Sequence, residues 1–130
     1  LISGRISMLF DNLSSSLPLI KAGEVQALAV TTLKRSPAAP EIATMAEQGL
    51  PGFEATSWFS LMAPANLPPA LQQRLNTLTR QTLNQPELRN KLLASGLDPA
   101  PGSPQDLSRL IQSETNKWAR VIYKSGAKLD

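Results

Sequence analysis

Arg5-Ile6-Ser7-Met8-Leu9-Phe10-Asp11-Asn12 opens a run that continues through a helical stretch from about Leu13 to Ala22, stops at Gly23 and resumes as Val25-Gln26-Ala27-Leu28-Ala29-Val30-Thr31. Its first six residues alternate weakly between polar and apolar, the pattern of a short strand. Asp11-Asn12 supplies the short polar side chains that cap a helix N-terminus, and Gly23 is the residue type that ends one. Val25 to Thr31 is a compact β-prone run. Strand, helix and strand in that order predict a parallel crossover, the unit from which α/β folds are built. Pro18 lacks a backbone donor, so it should bend the helix or confine its regular part to one side.

Downstream, Lys34-Arg35, Pro37 and Pro40 make Leu33 to Glu41 a loop, and Thr44-Met45-Ala46-Glu47-Gln48-Gly49 carries the cap and stop signals of one short helix. After the break at Pro51-Gly52, Glu54 to Ala63 reads as a strand buried on both faces at its end, leading into the Pro64 to Pro69 turn. Everything beyond is helical. Pro68-Pro69 starts a helix that runs to about Asn84, with Leu71, Leu75, Leu78 and Thr82 at helical spacing. Pro86 opens another that ends at Gly96, and Leu97 to Gly102 is an extended link with room for a short strand at Asp98 to Ala100. Ser103-Pro104-Gln105-Asp106 is a clear start signal. The last helix places Leu107, Leu110, Ile111, Trp118, Val121 and Ile122 on one face and ends at Gly126.

Composition narrows the chemistry. The 130 residues are 42% apolar and 18% charged, ordinary for a globular domain. No apolar run is long enough to span a membrane, and Leu1-Ile2-Ser3-Gly4-Arg5 lacks the layout of a secretory signal. The start without Met suggests a truncated product whose missing part could carry such a signal. Cysteine and histidine are both absent, which fits an oxidising compartment and excludes thiol catalysis, thiolate metal sites and histidine-based triads. No glycine spacing resembles a phosphate-binding loop, and no Asp/Glu set repeats at metal-ligand intervals. No cofactor, metal or catalytic residue is therefore expected, and the chain does not read as an enzyme. The net charge of +3 comes from the second half. There the basic residues alternate with acids and amides along helices, a solvated face rather than a nucleic-acid footprint.

Two places could touch a ligand. At Phe10-Asp11-Asn12-Leu13 a strand ends in a helix N-terminus, which directs free N–H groups and the positive end of the helix dipole outward and favours a bound anion. The local alternative is that Asp11 or Asn12 only caps its own helix. An aspartate repels a carboxylate, so Asp11 itself would accept from a ligand hydroxyl or ammonium group, or hold a water. At Ser57-Trp58-Phe59 the indole could wall a cleft while Ser57 offers a hydroxyl, the alternative being a core aromatic. Trp118 has the phase of a core residue of the last helix, and Lys34-Arg35 reads as solvated.

The order of these features resembles the substrate-binding proteins of tripartite tricarboxylate transporters, the Bug-type periplasmic receptors. The resemblance is carried by Ser3 to Leu13, by Ile20-Lys21-Ala22-Gly23-Glu24-Val25-Gln26-Ala27-Leu28-Ala29-Val30-Thr31, by Lys34-Arg35-Ser36-Pro37 and by Glu47 to Phe53. Ser57-Trp58-Phe59, Ala63-Pro64-Ala65, Leu67-Pro68-Pro69 and Glu114 to Ile122 continue it. Ser7 departs from a commonly acidic position, and Glu41-Ile42-Ala43-Thr44 from a Pro-Thr segment. The resemblance implies two α/β lobes that close on a small carboxylate such as a di- or tricarboxylate, an amino acid or an aromatic acid, in the periplasm, and present it to membrane permease subunits. It implies that residues 1–54 end the second lobe and that 55–130 return to the first, with Asp11, Asn12, Leu13, Ser57 and Trp58 facing the ligand, Leu13 through its backbone. More than half of the mature protein, including the first strand-to-helix loop, would lie elsewhere. Cut off in this way the chain should keep to its missing part, or pair with a second copy by exchanging elements. A different reading makes Leu67 to Asp130 a helical interaction module without a small-molecule ligand.

Overall fold

The computed structural model describes residues 1–128. Four helices follow one another: α1 (Leu13–Lys21), α2 (Pro69–Leu83), α3 (Pro86–Ala94) and α4 (Pro104–Ser125). By packing, the chain forms two compact units, one of residues 1–59 with 82–100 and the other of 60–81 with 101 onward. α3 belongs with the first of these units and α4 with the second.

The first unit has a small core. Leu17, Ala39 and Ile42 are its buried apolar residues, with Leu13, Ile20, Ala27 and Val30 packed around them. Leu13, Leu17 and Ile20 recur at helical spacing, so one face of α1 sits on the 36–44 loop. That anchoring explains a departure from expectation: the helix runs through Pro18 instead of stopping there. Pro18 is exposed, and the residues on either side of it, Leu17 and Leu19, are at least partly covered. The missing N–H costs one helical bond, but the packed face keeps the turn in place.

The expected strands do not form ladders. Among the described residues the one bridge is parallel, between Val30 and Thr44, with the Val30 N–H donating to Ala43 and the Met45 N–H to Val30. Arg5 to Phe10 is not paired, and Ile6, Met8, Leu9 and Phe10 are exposed. Among the described residues Glu54 to Ala63 contributes only the Ala55 N–H, to the Thr31 carbonyl. A strand needs a neighbour for its backbone groups and a cover for its apolar face, and this stretch of chain provides neither.

Thr44 to Gly49 forms a turn rather than the expected helix. Both halves of its capping box are present: Glu47 N–H donates to Thr44 Oγ1 at 3.1 Å, and Thr44 N–H to Glu47 Oε2 at 2.7 Å. A single cap does not offset the cost of nucleating a helix that Pro51 cuts short. Arg35 is exposed, as expected, and at the surface it donates through Nε to both Glu47 oxygens and through a terminal nitrogen to the Pro40 carbonyl.

In the second unit, Ser103 and Asp106 form the reciprocal cap that starts α4, and the Asn76 side chain donates to the Gly102 carbonyl at 2.9 Å. The apolar stripe of α4 is formed as expected but not covered. Leu110, Ile111, Trp118, Val121 and Ile122 are all exposed. Trp118, read from sequence as a core residue, stands 38% exposed because nothing in its own unit closes over that face. No helix among the described residues is long and apolar enough to cross a membrane.

Candidate functional site

Asn12 has the extended backbone of an N-cap residue, yet its side chain makes no capping bond. The Asn12 carbonyl accepts from the Ser15 and Ser16 N–H groups. The two N–H groups ahead of them, on half-buried Leu13 and Ser14, have no hydrogen-bond partner within the helix and none elsewhere among the described residues, at its positive end.

Asp11 sits beside these donors but is already engaged. Its Oδ2 accepts from Ser16 Oγ at 2.7 Å and from Ser15 Oγ at 2.9 Å. These hydroxyls, Ser16 first, and then the Asn12 backbone N–H hold its carboxyl below the ordinary 3.8, so it is ionised at neutral pH. Both hydroxyls converge on Oδ2, which leaves Oδ1 without a side-chain donor among the described residues. The arrangement can therefore do two things at once: offer backbone N–H groups to an anion, and offer one carboxylate oxygen to a hydroxyl or ammonium group.

The first turn of α1 is backed by the end of α3. There the Gly96 N–H donates to Leu93 and the Leu97 N–H to Leu92, both at 2.9 Å, a reciprocal closure that requires the left-handed backbone Gly96 adopts, with φ of 74°. A Cβ built on Gly96 would stand 2.9 Å from the Leu13 carbonyl carbon and oxygen and from Ser14 Cα. Two residues on, Asp98 accepts from the buried Ser36 hydroxyl at 3.0 and 3.1 Å. The expected short strand at Asp98 to Ala100 is absent, and this bond holds the segment instead.

Of the five candidate residues, Asp11, Asn12 and Leu13 are brought together, with Ser15 and Ser16 as members that sequence reading missed. Their signal was the spacing: hydroxyls four and five residues after an aspartate at a helix start lie within reach of it. Ser57 and Trp58 are both exposed on an irregular stretch, and no hydrogen bond among the described residues joins them to the Asp11 group. A shallow cavity of about 460 Å³ borders α1 through Ile20 and is lined further by Val25 to Leu28, Glu41 to Ala43 and Gln48. It contains none of the five. No group of acidic residues among those described could hold a metal ion.

Comparison with known proteins gives one consistent result. Residues 1–127 match the family described as the tripartite tricarboxylate transporter family receptor. The "UPF0065 protein in tcbD-tcbE intergenic region" of Pseudomonas sp. (strain P51) is 38% identical over 95% of this chain and 37% of its own length. Among solved structures, Rpa4515 of R. palustris with adipate is 40% identical with a TM-score of 0.83, over 97% of this chain and 42% of that one. MatC of Rhodopseudomonas palustris with bound malate is 31% identical with a TM-score of 0.76, over 94% of this chain and 42% of that one. The chain thus spans well under half the length of each of these three proteins.

Proposed function

The chain belongs to the tripartite tricarboxylate transporter receptor family, and from that premise we propose that it is the C-terminal part of a periplasmic solute-binding protein that captures small carboxylates without turning them over. The observation that carries this reading is the pair of free N–H groups on Leu13 and Ser14 beside Oδ1 of Asp11. Such a site suits an acid that brings both a carboxylate and a donor. Similar proteins are described with adipate and with malate, both dicarboxylates, of which malate brings the hydroxyl donor as well. In this reading residues 1–54 complete one α/β lobe and 55–130 return to the other, and closure of the two around the ligand prepares the receptor for its membrane permease subunits.

Asp11, Asn12 and the Leu13 backbone form one jaw of the cleft. Ser57 and Trp58 lie near the crossover between lobes, where the exposed indole supplies an apolar wall for a carbon chain. The family match over residues 1–127 takes in the C-terminal helices together with α1, which favours the receptor over a separate helical interaction module.

Isothermal titration of the full-length protein with adipate, malate and a tricarboxylate tests the proposal. Saturable heat with at least one acid, and no consumption of it, is the expected result. Absence of heat with every organic acid tried would refute the reading.

A further inference from the structure

Gly96 approaches α1 closely at the proposed carboxylate site, and its role there depends on that site binding a carboxylate. The Leu13 carbonyl and the Ser14 N–H belong to one planar peptide unit. That unit carries one of the two free donors at the helix start. Gly96 abuts it: a Cβ there would meet the Leu13 carbonyl carbon and oxygen and Ser14 Cα, all at 2.9 Å. We infer that Gly96 is a positioning residue for carboxylate binding, whose bare Cα lets the end of α3 press against the Leu13–Ser14 peptide and hold the Ser14 N–H toward the ligand.

The surroundings of Gly96 leave it little freedom to yield. The turn containing it is closed on both sides by its own backbone bonds to Leu92 and Leu93. Its continuation is tied down independently, through Asp98, to Ser36, which is only 3% exposed. The backing is therefore rigid and has little room to retreat. Any added atom at residue 96 must be relieved by movement of the Leu13–Ser14 peptide, because the contacted atoms are backbone rather than the end of a flexible side chain. A donor tilted out of line loses much of a hydrogen bond to a charged acceptor.

Gly23 provides the control. It sits just past the other end of α1 with almost the same φ, 73°, but a Cβ there meets nothing within 4 Å. Gly23→Ala and Gly96→Ala thus carry the same backbone strain, and only the second presses on the donor peptide. In the full-length protein both variants should melt below the wild type. Adipate affinity, by titration calorimetry, should fall about tenfold in Gly96→Ala, the loss of roughly one charge-assisted hydrogen bond, and stay unchanged in Gly23→Ala. Equal adipate affinity in wild type and Gly96→Ala would overturn the inference while leaving the receptor reading intact, whereas a wild type that binds no acid overturns both. Should Gly96→Ala fail to fold, the wild type still decides. On adding adipate the Ser14 amide resonance should shift strongly and its hydrogen exchange slow, and a Ser14 amide indifferent to bound adipate would overturn the inference.

Discussion

Trp118 Nε1 donates to Glu114 Oε2 at 2.8 Å, one turn back along α4, and Lys117 reaches the other oxygen of the same carboxylate. The Lys117 ammonium also stands 5.5 Å from the Trp118 ring centroid, so a single acid fixes both a cation and an indole on the exposed apolar face of the helix. Lys117 first, and the indole second, hold the Glu114 carboxyl below its ordinary 4.5.

A carboxyl depressed in the folded protein contributes its full stabilisation above its unfolded value and loses it as pH falls through the lower folded one. Trp118 emission, followed in a Trp58→Phe background, should accordingly change in a step below pH 4.5. Glu114→Gln removes the titrating group and should remove the step. A step of the same size in the Gln variant would assign it to another acid.

Asp11 offers a test of ligand discrimination. With Oδ2 occupied by Ser15 and Ser16, Oδ1 can accept from the hydroxyl of malate, whereas adipate has no donor once ionised. Asp11→Asn also removes a negative charge beside the anion. Malate affinity should fall about tenfold, one hydrogen bond to a charged group, while adipate affinity holds or rises. Equal losses for the two acids, measured by titration calorimetry, would take Asp11 out of contact with the ligand.

The Thr44 cap predicts a stability change with no effect on binding. Thr44 is 1% exposed, its hydroxyl accepts from the Glu47 N–H, and Glu47 in turn binds Arg35. Thr44→Val keeps the shape and removes the acceptor, which should cost about 1 kcal/mol. Urea denaturation should show a lower midpoint with an unchanged slope, and the affinity for adipate should not move.

Legibility in the sequence followed the range of the interaction. Asn12, Ser103 and the end of α4 at Gly126 were readable because caps depend on residues three or four apart, and the Ser103 to Asp106 box formed as expected. The strands were not, because pairing needs a neighbour that local pattern cannot supply: Val30 found Thr44, and Arg5 to Phe10 found nothing among the described residues. The same limit divides the site. Asp11, Asn12 and Leu13 stood out as the start of a helix, but Gly96 and the Ser36 bond to Asp98, 62 residues apart, had no signal to betray them.

On its own, the 130-residue chain should not behave as a self-sufficient domain. Leu17, Ala39 and Ile42 are the buried apolar residues of the described structure, too few to offset the conformational entropy of ordering a chain of this length. Apolar side chains that an independent domain would cover stand open instead: Phe10 at 66%, Phe59 at 82% and Leu61 at 72%, besides the α4 stripe. The backbone of Arg5 to Phe10 also offers an unpaired edge, a template for another chain. Expressed alone, the chain should migrate above its 14.0 kDa mass in size-exclusion chromatography with light scattering, and supplying the remainder of the receptor in trans should shift it to a one-to-one complex. A monomer with a sharp, concentration-independent melt would mean that these faces need no partner, and the assignment of the chain to part of a larger receptor core would lose its energetic basis.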